Sequence, residues 1–333
     1  MEKPKNIALS FTLLVVVLVA VIFISLGIGR YSVSPTEIIK IITGAHSESL
    51  DANVFFTIRL PRIIAALLIG SALSVSGATY QGIFRNPLVS PDILGAAAGA
   101  SFGAALAIFL GLGKIWLQIS AFGFGIVGVA TAYIIGVRLS GRMRDNTVTL
   151  VLCGMVITAI FSALISAVKL VADPYDELPT ITFWLMGGLN YVVKEDILIM
   201  IAPLLIGGIT LFLMRFRLNV LALSDEEINA LGINAETSRR VVILCATLMT
   251  SSAVAVGGMI AWVGLLVPHI SRLITGPDFR KLLPASLLIG AIFLLIVDDV
   301  ARSILQIELP LGVLTALIGA PVFLVLLART SRE

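Results

Sequence analysis

Ten apolar runs, each broken from the next by charge, proline or glycine, follow one another along the chain and predict ten membrane-spanning helices. Their limits are 7–28, 61–83, 93–110, 115–138, 147–171, 195–214, 240–257, 259–268, 284–301 and 313–329. A helix needs roughly 17–25 residues to cross a bilayer, and the eighth run is too short to do so alone. Other helices must shelter it, because irregular backbone is not tolerated against lipid. Lys3 and Lys5 precede the first run, which is too long for a signal-peptide core of roughly 7–15 residues and reads as a retained span. The fold class is therefore an all-α polytopic membrane protein, one transmembrane domain over residues 1–333.

Composition agrees and narrows the function classes. The chain is 58% apolar and 13% charged with a mean hydropathy of +1.07, against about 45–50% and 25% for soluble domains, which excludes an ordinary soluble enzyme. A pI near 9.0 comes from only 23 basic against 20 acidic residues, scattered between apolar runs, so nucleic acid is not the partner. Orientation explains them better. With the N-terminus in the cytoplasm, fifteen basic residues fall on the inner side, among them Lys3, Lys5, Arg85, Arg138, Arg142, Arg144, Arg215 and Arg332. Eight fall outside: Arg30, Lys40, Arg59, Arg62, Lys114, Lys169, Lys194 and Arg302. The positive-inside rule then puts both termini in the cytoplasm of a cell (inner) membrane; merging spans seven and eight would flip everything downstream.

Catalytic chemistry has no candidate. The only Gly-Lys pair, Gly113-Lys114, is followed by Ile115 rather than Ser or Thr, so no phosphate-cradling loop is present and the chain hydrolyses no nucleotide. Gly123, Gly125 and Gly128 spell G-x-G-x-x-G inside a wholly apolar run with no preceding strand, which suits helix packing. Gly95, Gly99 and Gly103 recur every fourth residue and let a neighbouring helix approach. Cys153 and Cys245 lie apart within apolar runs, arguing against a disulfide or a metal site. No catalytic residue, cofactor or metal ligand is expected. His269, beside a helix end, reads as a hydrogen-bonded structural histidine.

Three groups of polar residues stand out. Arg59-Leu60-Pro61-Arg62 opens the second span, with Pro61 at a position suited to a first helical residue. Two arginines at the outer surface run against the positive-inside bias, so a partner carrying carboxylates is expected there. Arg302 joins them at the outer end of span nine, where it can also pair with Asp298 one helical turn away. On the other side, Ser224-Asp225-Glu226-Glu227 forms a capping box and Gly232 a helix stop, predicting a short helix over about 225–231 within the cytoplasmic stretch 215–240. A second short helix is expected from Ala235. Between spans two and three, Pro87 and Pro91 cannot donate backbone hydrogen bonds, so Arg85 and Asn86 should be non-helical, with Asn86 capping a freed group.

In these pieces the sequence resembles the permease subunits of type II ABC importers for ferric siderophores, haem and vitamin B12. The matching residues are Arg59-Leu60-Pro61-Arg62, Gly77 to Gln81, Asn86-Pro87-Leu88 with Pro91 and Leu94-Gly95, and Trp184-Leu185-Met186-Gly187-Gly188. They continue through Leu231-Gly232, Gly258, Val263-Gly264-Leu265, Pro268-His269, Arg272, Gly276-Pro277-Asp278, Leu283-Pro284, Asp298 to Arg302, Glu308 to Gly312 and Gly319-Ala320-Pro321. Trp262 stands where Phe is usual, and Gly188 where Ser is common. The resemblance implies ten spans, a dimer of permeases (a homodimer rather than a heterodimer) around a twofold translocation path, a cytoplasmic ABC ATPase dimer and an extracytoplasmic substrate-binding protein. It further implies that Arg59, Arg62 and Arg302 pair with glutamates of the binding protein. Ala222, Glu226, Ala230, Leu231 and Gly232 would couple to the ATPase. The helix breaks at Asn86, Pro87 and Pro91, read from the residues themselves, fit either an inner gate or a simple tight turn. An ion-coupled secondary transporter is the alternative, but it needs a coupling-ion site and no carboxylate cluster lies midspan. A membrane scaffold suits the glycine-rich packing less well.

Overall fold

The computed structural model describes residues 7–29, 35–43, 49–140, 147–304 and 307–330, and over these the chain is helical throughout. Of the basic residues used for orientation, Lys3, Lys5, Arg30, Arg142, Arg144 and Arg332 lie outside the described residues. α1 (Ile7–Gly27) is followed by the short α2 (Pro35–Ile42) and α3 (Leu50–Val54), then α4 (Leu60–Ile83). A 3₁₀ turn, Pro91–Leu94, leads into α5 (Ala96–Phe109), α6 (Lys114–Ser140), α7 (Thr147–Val171) and α8 (Glu177–Leu185). α9 (Lys194–Leu213), α10 (Arg215–Leu221), α11 (Asp225–Ala230), α12 (Ala235–Gly257), α13 (Val263–Thr275), α14 (Phe279–Ser303) and α15 (Leu311–Thr330) complete the chain.

Each expected span coincides with one helix: α1, α4, α5, α6, α7, α9, α12, α13, α14 and α15 in order. Seven of the helical runs are long and apolar enough to cross a membrane unaided, and α5, α13 and α15 are the shorter apolar ones. Several boundaries differ from expectation, α14 beginning at Phe279 and α13 ending at Thr275 among them, and three have a local cause. Pro61 does not start a helix: helical backbone runs continuously from Leu50, and one widened turn over Phe55–Arg59, in which the Leu60 N–H reaches back five residues to the Phe55 carbonyl, precedes it. A proline ring clashes with the carbonyl four residues earlier in a regular helix, and the wider turn relieves that clash. The second cytoplasmic helix is not separate, because Ala235 begins α12 itself, capped by the Asn234 side chain accepting from the Thr237 N–H at 2.9 Å. The eighth span starts later, at Val263, because Gly258 and Trp262 both take positive φ (67° and 69°) and break the chain between them.

α4 is the axis of the bundle and is buried along most of its length against α12, α13 and α14. Lipid offers no hydrophobic drive for helices to associate, so close backbone approach and interhelical hydrogen bonds supply the contact energy. A Cβ at Gly77 would lie 1.8 Å from the Gly264 carbonyl oxygen. Buried hydroxyls are also partnered: Ser74 donates to the Ser286 carbonyl at 2.7 Å, and Tyr80 shares a 3.0 Å bond with Thr247. The Gly99 and Gly103 spacing works as expected, since Cβ atoms there would come within 2.3 Å of Phe124 O and 2.4 Å of Ser120 O on α6. α13, only 13 residues long, buries Val263, Gly264, Leu266, Val267 and Ser271 and is sheltered by α4 and α14. At the periphery α1, α7 and α9 expose Leu13, Phe23, Val156, Ile160, Leu205 and Ile209, large apolar side chains that a bilayer, not water, accommodates.

Candidate functional site

The N-terminal ends of α4, α6, α9 and α15 share one end of the bundle, and α10 and α11 lie at the other. At the first end the three arginines are turned into the protein rather than toward a partner: Arg59, Arg62 and Arg302 are only 3%, 6% and 5% exposed. Arg62 is held on both sides. Its Nε and Nη2 donate to Asp298 at 3.0 and 2.9 Å, and Nη1 donates to Glu308 at 3.0 Å. Arg302 donates to the Ser25 hydroxyl and carbonyl at 2.6 and 2.8 Å and to Asp299. The Arg59 guanidinium donates to the Leu26 carbonyl. Freely presented arginines are thus corrected: these residues join α1, α4, α14 and the segment before α15. The expected Asp298–Arg302 pair exists only at 3.7 Å, with Asp299 the nearer partner. A guanidinium paired bidentately with a carboxylate is the arrangement that lets charge survive burial. Asp298 and Glu308 lie 236 and 246 residues from Arg62, so no local pattern marks them as its partners.

Beside this network three chain reversals meet. The Gly188 N–H donates to Gly257 O (2.9 Å), Leu311 N–H to Gly187 O (2.9 Å) and Gly312 N–H to Met186 O (3.0 Å). The ends of α8 and α12 and the start of α15 are thereby tied by main chain alone, which satisfies backbone groups freed where helices stop inside a membrane protein. Gly187 and Gly258 have φ of 72° and 67°, and a Cβ at Gly258 would lie 2.5 Å from Trp184 O. The junction forms part of the wall of a cavity of about 880 Å³, also lined by Lys114, Gln118, Phe183, Trp184, Tyr191 and Asp196, and by Arg62 and Glu308 of the network. Lys114 reaches Asp196 at 2.6 Å and the Tyr191 carbonyl at 2.7 Å, and Gln118 donates to Asp196 at 2.7 Å. Sequence reading found the three glycine motifs but neither their convergence nor the Lys114–Asp196 strap.

The suggested gate does not form one cluster. Arg85 (φ 50°) and Asn86 lie outside the helix, and Asn86 Oδ1 accepts from the Leu88 N–H at 2.9 Å, as the prolines require. Asn86 and Pro87 are exposed, whereas Pro91 is buried and packs on Gly264, whose Cβ position is 2.4 Å from the Pro91 ring and 2.8 Å from Leu73 O. Leu73 is about 15 Å up α4 from its end at the 1.5 Å helical rise. Pro91 is thus set apart from the other two: the chain re-enters the bundle before the 3₁₀ turn.

At the far end, α11 is built as expected. The Ser224 N–H donates to Glu227 Oε2 at 2.8 Å, the Ser224 hydroxyl donates to it at 2.7 Å, and the Gly232 φ of 71° stops the helix. These Ser224 bonds hold the Glu227 carboxyl below the usual carboxylate range. Ala222, Glu226, Ala230, Leu231 and Gly232 are exposed. Ile228, on the same short helix, is by contrast fully buried and anchors α11 on the bundle. His269 is not hydrogen-bonded at its buried Nε2; its ring lies 6.3 Å from that of Phe323.

Residues 17–329 match the FecCD transport family. The chain belongs to that family. It is 40% identical to the molybdate import system permease protein MolB of Haemophilus influenzae, over 99% of this chain and 98% of that protein. It is 37% identical to the Fe(3+)-citrate import system permease protein YfmE of Bacillus subtilis, over 100% and 98%. Against the cobalamin import system permease protein BtuC of Halobacterium salinarum the identity is 38%, over 81% and 72%. A solved structure described as an inward-facing conformation of a metal-chelate type ABC transporter superposes with a TM-score of 0.86 at 40% identity, over 95% of this chain and 97% of that one. The FecCD chain described here is accordingly a multi-pass membrane permease of the ABC-importer kind with type II architecture, a class not catalytic by itself.

Proposed function

We propose that this chain is the permease subunit of a binding-protein-dependent importer for a metal chelate, a ferric siderophore first, with haem and vitamin B12 as the other chelates the framework serves. A separate cytoplasmic ATPase dimer drives it, and a second, identical permease completes a path on a twofold axis. The chain forms a single domain in the cell (inner) membrane with both termini in the cytoplasm. The observation that carries this reading is the 880 Å³ cavity at the arginine end, within the roughly 300–1,000 Å³ of small-molecule sites. Its aromatic residues Phe183, Trp184 and Tyr191 suit an organic chelate. Its cations Lys114 and Arg62 are already neutralised by Asp196, Asp298 and Glu308, which suits a bare oxyanion less well.

The three arginines remain the docking site for carboxylates of a binding protein on this reading, with Glu308, partly exposed at the edge of the network, giving way to the incoming group. Such pairs steer encounter and weaken with salt. Ala222, Glu226, Ala230, Leu231 and Gly232 contact the ATPase, and α11 moves as a rigid body because Ile228 fixes it to the bundle. Asn86 and Pro87, with Pro91 as a buried pivot, gate the inner side; disulfide crosslinking at position 86 that leaves uptake intact would remove that role. The deciding experiment is uptake into vesicles holding the permease, its ATPase and its binding protein, with a ferric siderophore, haem, cobalamin and molybdate offered in turn. ATP-dependent accumulation of a chelate is expected. Molybdate alone accumulating would reassign the cargo, and a proton or sodium gradient sufficing without ATP would make this a secondary transporter.

A further inference from the structure

A second cavity lies on the flank of the bundle, away from the arginine network. It is a groove of about 530 Å³ floored by Leu68, Ser71, Ala72 and Val75 of α4 and walled by α9 from Ile201 to Leu213 on one side and Leu287 of α14 on the other. Gly208 keeps it open, since a Cβ there would meet only the tip of Met249 at 3.8 Å. The wall residues Leu205, Ile209 and Leu213 are 55%, 55% and 77% exposed, so the groove opens sideways toward lipid. Along α9 it runs about 18 Å at the helical rise of 1.5 Å per residue, close to one leaflet of a hydrocarbon core about 30 Å thick.

Its chemistry changes at one end. Arg215 lines the mouth beside Phe216, and the guanidinium groups of Arg215 and Arg280 lie on that ring, each 5.6 Å from its centre. Asp278 is engaged by Arg280 at 2.8 Å and by Asn219 at 2.8 Å. Arg215 has no carboxylate partner among the described residues. An apolar slot one leaflet long that ends on an unneutralised arginine complements one occupant: an acyl chain topped by a negative headgroup.

We infer that the α4–α9–α14 groove holds one acyl chain of an anionic phospholipid, with its phosphate on Arg215. Basic residues at the cytoplasmic surface attract anionic lipid, and the leaflet assignment, though not the site, rests on the orientation proposed above. α9 and α14 both border α4, and the lipid chain fills the groove between them.

Native mass spectrometry of the purified full-length chain tests this, with phosphatidylglycerol or phosphatidylcholine of identical acyl chains added. The wild type should retain phosphatidylglycerol preferentially. Arg215→Gln should lower that retention about fivefold, the loss expected for one basic residue at an anionic surface, and leave phosphatidylcholine unchanged. Gly208→Leu, which fills the slot, should lower both, and Arg138→Gln, at the same end of the bundle, should change neither. Equal retention of the two lipids by the wild type, or undiminished phosphatidylglycerol on Arg215→Gln, would overturn the assignment. So would a dimer that dissociates on Gly208→Leu, which would give the groove to a second copy. Lipid retention is read without transport, so failure here leaves the import reading standing, and failure of uptake leaves this one.

Discussion

Arg62, near the start of α4, takes its partners from 236 and 246 residues away, whereas Ser224 and Glu227, which build α11 at the opposite end, are three residues apart. The first cluster is buried and gathers four segments of the chain; the second is exposed and answers only to its own turn. A charge in the first is held by Asp298, which is fully buried and has no water to turn to, so its loss propagates. In the second, water replaces any bond that breaks.

The sharpest test of that difference is Arg62→Ala. It would leave Asp298, fully buried, with only the 3.7 Å contact to Arg302. Removing one partner of a buried pair costs about 3–5 kcal/mol, a loss that thermal unfolding of the detergent-solubilised permease would register. Arg62→Met with Asp298→Leu should recover most of it, because the uncompensated charge disappears with its partner. If the single variant unfolded at the wild-type temperature, the network would be an ornament of the surface and the comparison would fail.

Gly258→Ala comes next. Its φ of 67° and the 2.5 Å from a Cβ to Trp184 O mean that both the backbone and the α8 end must shift. Strained φ alone costs roughly 1–3 kcal/mol. The same variant should release the main-chain bond between Gly188 and Gly257, visible as faster amide exchange at Gly188.

The two ends also show what the sequence could and could not disclose. Every span was legible as an apolar run, because lipid imposes a length and a polarity on each helix independently of its neighbours. α11 was legible for the same reason: Ser224, Glu227 and Gly232 carry their whole explanation within nine residues. Arg62 was visible as an anomaly, but its cause was not, since nothing local marks Asp298 or Glu308 as its partners. The Pro61 turn was misplaced and the re-entry at Pro91 was not foreseen, because each depends on what the next helix allows, and the Gly187, Gly258 and Gly312 motifs gave no sign that they share one junction.

Ala230→Glu tests the exposed end. The side chain faces solvent, so stability should move by less than about 0.5 kcal/mol. ATP-driven uptake or co-purification with the ATPase should nevertheless be lost. Retention of both at the wild-type level would shift the coupling role to the segment after Arg138.

The smallest effect concerns the cap itself. Because its bonds from Ser224 hold the Glu227 carboxyl below the usual carboxylate range, that contribution is complete above the unfolded value of about 4.3 and fades as pH falls through the lower, folded value. Between pH 7 and pH 5 the protection of the Ile228 and Leu231 amides, which donate to Ser224 O and Glu227 O, should stay constant, and it should drop only in more acid solution. Ser224→Ala should lower the same protection a few-fold already at pH 7, because an N-cap hydroxyl is lost, while the global unfolding temperature stays where it was. Measured by hydrogen exchange on the intact permease, a fall in the global transition on Ser224→Ala would show that α11 is as tightly bound into the bundle as Arg62. The contrast between a local and a long-range cluster would then have to be abandoned.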